Sequence, residues 1–283
     1  MLLLDTVGNT PLLKFEFPNG TLWGKAEFLN PGGSVKDRPV AWILKIAIRN
    51  GKLKPGDTII EATSGNMGIS LAMFCANLGF KCVIVMPSNM STERKVMLKS
   101  FGAELIEVDA VPYSDPNNYI KKSKNLAEEL NKIDPNGVYW ANQFDNIINS
   151  KAHIETTAEE IWRQTAGKID AFTCAVGTGG TLAGVSIGLK EKNKNVKIAL
   201  SDPMGSSLYS YIKNNKLDNS GSSITEGIGT GRVTKNFEKA FIDDAFQIND
   251  TEALNIVYQL IENQRIVLGG SSGINISGAI KLA

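Results

Sequence analysis

The chain has 283 residues, more than one small core needs and enough for two α/β domains. Hydrophobic residues make up 42% and charged residues 21%, and 30 Lys and Arg against 29 Asp and Glu leave a formal net charge of +1. That balance argues against a general nucleic-acid binder while leaving room for a local anion site, and no apolar run nears the ~20 residues of a membrane span.

Short runs rich in Val, Ile and Thr alternate with amphipathic stretches. In chain order they predict a helix over 34–50, a strand over 58–62, a helix over 66–78, a strand over 82–86 and a helix over 92–101. A strand over 104–108, a helix over 118–130, a strand over 138–140 and a helix over 151–165 follow. The last part holds strands over 171–176 and 196–200, helices over 181–190 and 250–262, and a helix beginning near Gly273. A domain rarely ends inside a helix, so a tail beyond Ala283 is expected. The start, Met1 to Asp5, lacks the basic region and cleavage site of a secretory signal. Such alternation predicts twisted, mostly parallel sheets flanked by helices. Ligands in such folds bind where a strand turns into a helix. The polar stretch Asn214–Ser223 reads as a surface loop. Cys75, Cys82 and Cys174 have no metal-type spacing and read as buried, reduced thiols of a cytoplasmic protein. The single histidine, His153, reads as structural, and no metal is expected.

Three glycine-rich turns lie between a strand and a helix, or lead into one. Val176-Gly177-Thr178-Gly179-Gly180-Thr181 offers consecutive N–H groups and two hydroxyls, which suits a phosphate or a bare tight turn. A dinucleotide fingerprint fits less well, because its third glycine falls on Leu182. Thr63-Ser64-Gly65-Asn66-Met67-Gly68 would seat a carboxylate at a helix N-terminus or simply cap the helix. Gly269-Gly270-Ser271-Ser272-Gly273 leaves the same pair of readings open. A fourth segment, Asn30-Pro31-Gly32-Gly33-Ser34-Val35-Lys36-Asp37-Arg38, puts Lys36 in the first turn of a helix. The helix dipole disfavours a cation there, which would make a neutral amine available for Schiff-base chemistry.

The motifs NPGGSVKDR, TSGNMG, GTGGT, EGIG and GGSSG, with GNTPLL at Gly8–Leu13, Gln143–Phe144 and the run Met90–Leu105, occur in an order and spacing that resembles the fold-type II pyridoxal-phosphate (PLP) enzymes. The resemblance is to the cysteine synthase and cystathionine β-synthase group. It implies a two-domain, tryptophan synthase β-like fold with PLP in the cleft. The domains it implies are 1–12 with 35–145, and 13–34 with 146–283, the latter holding the cofactor phosphate. It implies that Lys36 is the catalytic, cofactor-bonding lysine. Asn66, Gly177, Thr178, Gly179, Gly180, Thr181 and Ser271 are the other cofactor residues it implies. Thr63, Ser64, Asn66, Met67, Gln143 and Gly227 match the substrate positions. A serine facing the pyridine nitrogen cannot protonate it as an aspartate can, which favours loss of a β-leaving group and an aminoacrylate over transamination.

The activity implied is formation of L-cysteine from O-acetylserine, or a similarly activated serine, and sulfide. Alternatives on the same scaffold are a cysteine desulfhydrase, a cystathionine β-synthase-like enzyme or an O-phosphoserine-using synthase. A non-catalytic partner-binding homologue is a further reading. A homodimer and a serine acetyltransferase tail as partner are also implied. Two positions depart from the family pattern. Met67 stands where a threonine is usual, which leaves only a backbone contact there. Arg232 stands where an aromatic residue is usual, as a surface arginine or as a clamp for an anionic substrate. Neither a haem-type N-terminal extension nor a C-terminal regulatory module lies within the 283 residues.

Overall fold

In the computed structural model, which describes every residue except Met1, Pro18, Asn19, Ser64 and Pro135, the chain divides into two units. Residues 1–8 and 27–149 form one, and residues 9–26 and 150–283 the other. Residues 9–12 thus lie with the second unit, and 27–34 and 146–149 with the first, where the sequence had suggested the reverse.

The second unit opens with an antiparallel hairpin, β1 (Leu12–Phe17) and β2 (Gly20–Lys25), which pairs Leu12 with Lys25. The first unit then runs through α1 (Asp37–Arg49), β3 (Thr58–Ala62), α2 (Asn66–Leu78) and β4 (Lys81–Pro87). It continues with α3 (Thr92–Ser100), β5 (Glu104–Val108), α4 (Tyr119–Ile133) and β6 (Val138–Trp140). The four strands are parallel in the order β5-β4-β3-β6. Every residue of β3 is buried, as expected of a strand covered on both faces. Alternate side chains serve two layers. Ile59, Ile84 and Met86 pack with Val40 and Leu44 of α1 and Leu71 and Phe74 of α2. Ile60, Val83 and Val85 meet Ala127 of α4 on the other face.

The chain goes on with α5 (Ile148–Ala152), a widened π-helical turn (His153–Ala158), α6 (Glu159–Gln164), β7 (Ala171–Cys174) and α7 (Gly180–Lys192). Then come β8 (Lys197–Pro203), α8 (Leu208–Asn214), β9 (Asp244–Ile248), α9 (Asp250–Gln259), a second π-helical turn (Leu260–Gln264) and α10 (Gly270–Leu282). The strands of the second unit run parallel in the order β7-β8-β9. Leu182, Val185 and Leu189 of α7 pack with Ile198 and Leu200 of β8, and Phe15 of the hairpin meets Leu260 and Ile276.

Several boundaries shift by a few residues from the sequence expectation, and three of the shifts below have local reasons. The helix expected over 34–50 starts at Asp37, because Ser34 Oγ accepts the Lys36 N–H and Asp37 Oδ2 the Gly32 N–H, which shapes a turn. The helix expected from Gly273 starts at Gly270. The single helix over 151–165 is split by its π-helical turn where α7 presses closest: a Cβ at Gly184 would collide with the Ser150 carbonyl and His153. The strand over 171–176 stops at Cys174, since the next N–H, of Ala175, bonds a side chain.

Candidate functional site

In the first unit the lysine loop is braced from beneath. Arg38, 2% exposed, makes a two-pronged ion pair with Glu27, Nε to Oε2 at 2.7 Å and Nη2 to Oε1 at 2.8 Å. Asn30 donates to the Glu27 carboxylate and carbonyl and to the Ser34 carbonyl, and its Oδ1 accepts the Gly8 N–H at 2.9 Å. Ser70 Oγ donates to Asp37 Oδ1. Burial pushes the Asp37 carboxyl up, against the bonds from Ser70 and Gly32. Gly32 has no room for a side chain, since a Cβ would fall on the Asp37 carboxylate. Lys36 occupies the N-cap of α1, one residue ahead of the helix and not in its first turn.

The same unit carries the threonine loop and Gln143. Thr63 is buried beyond β3, and its Oγ1 accepts the Gly65 N–H at 3.0 Å. Gly65 is the N-cap of α2 and has no side chain to cap the first-turn N–H groups. Asn66 opens the helix exposed, whereas Met67, 1% exposed, packs in the apolar core. Ser64 lies outside the described residues. Gln143 is buried; its Nε2 donates to the Ala62 carbonyl at 2.8 Å and its N–H to Glu61 Oε2 at 3.1 Å. Glu61 is fully enclosed, and burial pushes its carboxyl up to about 8 in spite of hydrogen bonds from Gln143 and Ala62.

In the second unit the glycine turn after β7 is held on two sides. A Cβ at Gly177 would collide with the Gly227 carbonyl, and Gly229 N–H donates to the Val176 carbonyl at 2.7 Å. Gly179 has φ +84° and is the N-cap of α7; a Cβ there would lie 2.8 Å from the Phe237 nitrogen. The Thr178 carbonyl accepts Thr234 Oγ1 at 2.7 Å. Thr181 Oγ1 lies 3.2 Å from Nε2 of the buried His153, whose Nδ1 lies 2.9 Å from Thr157 Oγ1. Gly227 is exposed with φ +78°, and Arg232 beyond it is partly buried. Gly269 is the N-cap of α10, and Ser271 sits in the first turn. Serine capping, the plainer reading of this turn, does not hold: glycine takes the N-cap position at all three glycine-rich turns.

A family model described as "pyridoxal-phosphate dependent enzyme" matches residues 3–283. The chain belongs to that family. It is 45% identical over 290 residues to cysteine synthase 1 of Emericella nidulans, covering 99% of this chain and 77% of the relative. Among solved structures, an O-ureido-L-serine synthase matches with a TM-score of 0.89 and 32% identity, over 99% of this chain and 86% of the other. A hydrogen sulfide-producing enzyme from Fusobacterium nucleatum matches with a TM-score of 0.86 and 33% identity, over 99% and 91%.

The residues fit the family's cofactor. Glycine, which has no capping side chain, takes the N-cap of α7 and α10, and the backbone at Gly177 runs so close to the Gly227 carbonyl that a Cβ would fall on it. Three residues that touch the motif residues within their own units carried no sequence signal of that role. His153 touches Thr181, Glu61 holds Gln143, and Asn275 bonds both Ala175 and Ser271. No helix among the described residues is long and apolar enough to cross a membrane.

Proposed function

We propose that the enzyme forms L-cysteine from O-acetylserine, or a similarly activated serine, and sulfide. Its full-length likeness to cysteine synthase 1 carries this reading. Bound PLP supplies an electron sink that weakens the bonds at the substrate α-carbon. Lys36 would be the amine that bonds the cofactor, and its Nζ would move the substrate α-proton. Its loop is fixed by the buried Glu27–Arg38 pair, so little ordering is left for the reaction itself. Backbone N–H groups from Gly177 to Thr181, with the Thr178 and Thr181 hydroxyls, hold the phosphate at the N-terminus of α7. Asn66 and Ser271 would hold the cofactor ring. Ser271 is neutral and would give the ring nitrogen no proton, which would favour departure of a β-substituent.

Thr63, Ser64, Asn66, the Met67 backbone and Gln143 hold the α-carboxylate at the N-terminus of α2, where the helix dipole favours an anion. The Gly227 backbone borders the substrate amine. The enzyme works as a homodimer in the cytoplasm and accepts the tail of a serine acetyltransferase. The buried thiols Cys75 and Cys82 suit a reducing compartment. A second reading, sulfide release from cysteine, is favoured by the likeness to the sulfide-producing enzyme.

The test is product analysis of PLP-loaded protein given O-acetylserine, O-phosphoserine, serine or cysteine, with and without sulfide. Fastest turnover of O-acetylserine to cysteine supports the first reading. Dominant sulfide release from cysteine favours the second, and no product from any substrate removes both.

A further inference from the structure

α10 approaches its neighbours through glycine. A Cβ at Gly273 would fall on the Ala253 carbonyl, and one at Gly278 on the Ser201 hydroxyl. Between these two contacts the helix presents Asn275 to the end of β7. Its Oδ1 accepts the Ala175 N–H at 2.7 Å, and its Nδ2 donates to the Ser271 carbonyl at 2.7 Å. Ala175 is the first residue beyond β7 and leads directly into Val176 and the Gly177 turn. Ser271 lies one helical turn back, in the opening turn of α10.

We propose that Asn275 is a positioning residue that fixes the ring-nitrogen end of the cofactor site, at Ser271, relative to its phosphate end, at Gly177–Thr181. The proposal rests on the cofactor roles assigned above to those residues. The chemistry requires a carboxamide, the only side-chain group of this length that accepts at one atom and donates at its neighbour. Asp would keep the bond to Ala175 and lose the one to Ser271. Ala would lose both. Gln would carry its amide one methylene too far for two bonds of this length. Ala175 and Asn275 are partly exposed, so water can replace the lost partners and the fold tolerates the change. A rigid cofactor spans both ends and does not tolerate it.

The test compares wild type, Asn275→Ala and Asn275→Asp as apoprotein titrated with PLP, by visible absorption and by the phosphorus resonance of the bound phosphate. Asn275→Ala is expected to raise the dissociation constant roughly tenfold and to move both signals. Asn275→Asp is expected to move the absorption band and leave the phosphorus resonance in place, because Ala175 stays anchored. A loss of folding alone would not produce that split. Far-UV circular dichroism checks the fold, and where Asn275→Ala does not fold, the Asp variant decides. Wild-type affinity, band and resonance in the variants would overturn the inference alone. Failure of the wild type to bind PLP would overturn the proposed function and the inference with it.

Discussion

Glu61 makes a testable link between burial and pH. Its carboxyl is fully enclosed in β3 and titrates at about 8 in the folded chain, against an ordinary 4.5. Burial raises it, and three N–H donors, from Ala62 and from the backbone and side chain of Gln143, work in the other direction. Between those two values the folded state keeps a proton that the unfolded state has lost. Stability from this group is therefore complete below the ordinary value and falls as pH rises toward 8. The slope approaches ~1.4 kcal/mol per pH unit, or roughly 3–4 kcal/mol between pH 5 and 8. Glu61→Gln removes the titration. It keeps an acceptor for the Ala62 N–H but leaves the Gln143 N–H without Oε2, which costs about 1–3 kcal/mol near pH 5. Urea unfolding of both proteins from pH 5 to 8 should show the variant less stable at the acid end and level with wild type, or ahead of it, at pH 8. Parallel curves across that range would refute the reasoning.

Gly177→Ala places a methyl group on the Gly227 carbonyl; PLP affinity, measured by titration of apoprotein, should fall roughly tenfold to a hundredfold, and unchanged affinity would mean the turn is not the phosphate cup. His153→Leu removes the ring contacts with Thr157 and Thr181, and PLP should be lost several-fold faster on dialysis. Lys25→Met removes the ion-pair partner of a buried carboxylate, because Lys25 Nζ lies 2.6 Å from Glu160 Oε2 with both side chains 9% exposed. That change should destabilise the second unit by about 3–5 kcal/mol in urea unfolding, and a loss below about 1 kcal/mol would show that water reaches the pair.

What the sequence makes legible is whatever is local. The turns before α2, α7 and α10 announce themselves by glycines within five or six residues, and the parallel sheets follow from the alternation of short β-rich runs with amphipathic helices. The hairpin at Leu12–Lys25 escapes because its strands are half exposed and carry Lys14 and Glu16 among the apolar residues. The π-helical turn at His153–Ala158 escapes because it lies where α7 packs closely through Gly184, and no residue type marks it. Glu61 and Gln143 stand 82 residues apart, and Ala175 and Asn275 stand 100 apart. Partnerships of that range come from strand order and helix approach, which only the folded chain provides. Met67 shows a further limit: the motif matches it to a substrate position, yet its side chain belongs to the core.

The central claim is that Lys36 bonds the cofactor. Reduction of the PLP-loaded enzyme with borohydride, followed by peptide mass mapping, tests it most directly. The account predicts a pyridoxyl phosphate adduct on Lys36 and none in Lys36→Ala. An adduct on another lysine, or equal labelling of the variant, would contradict it.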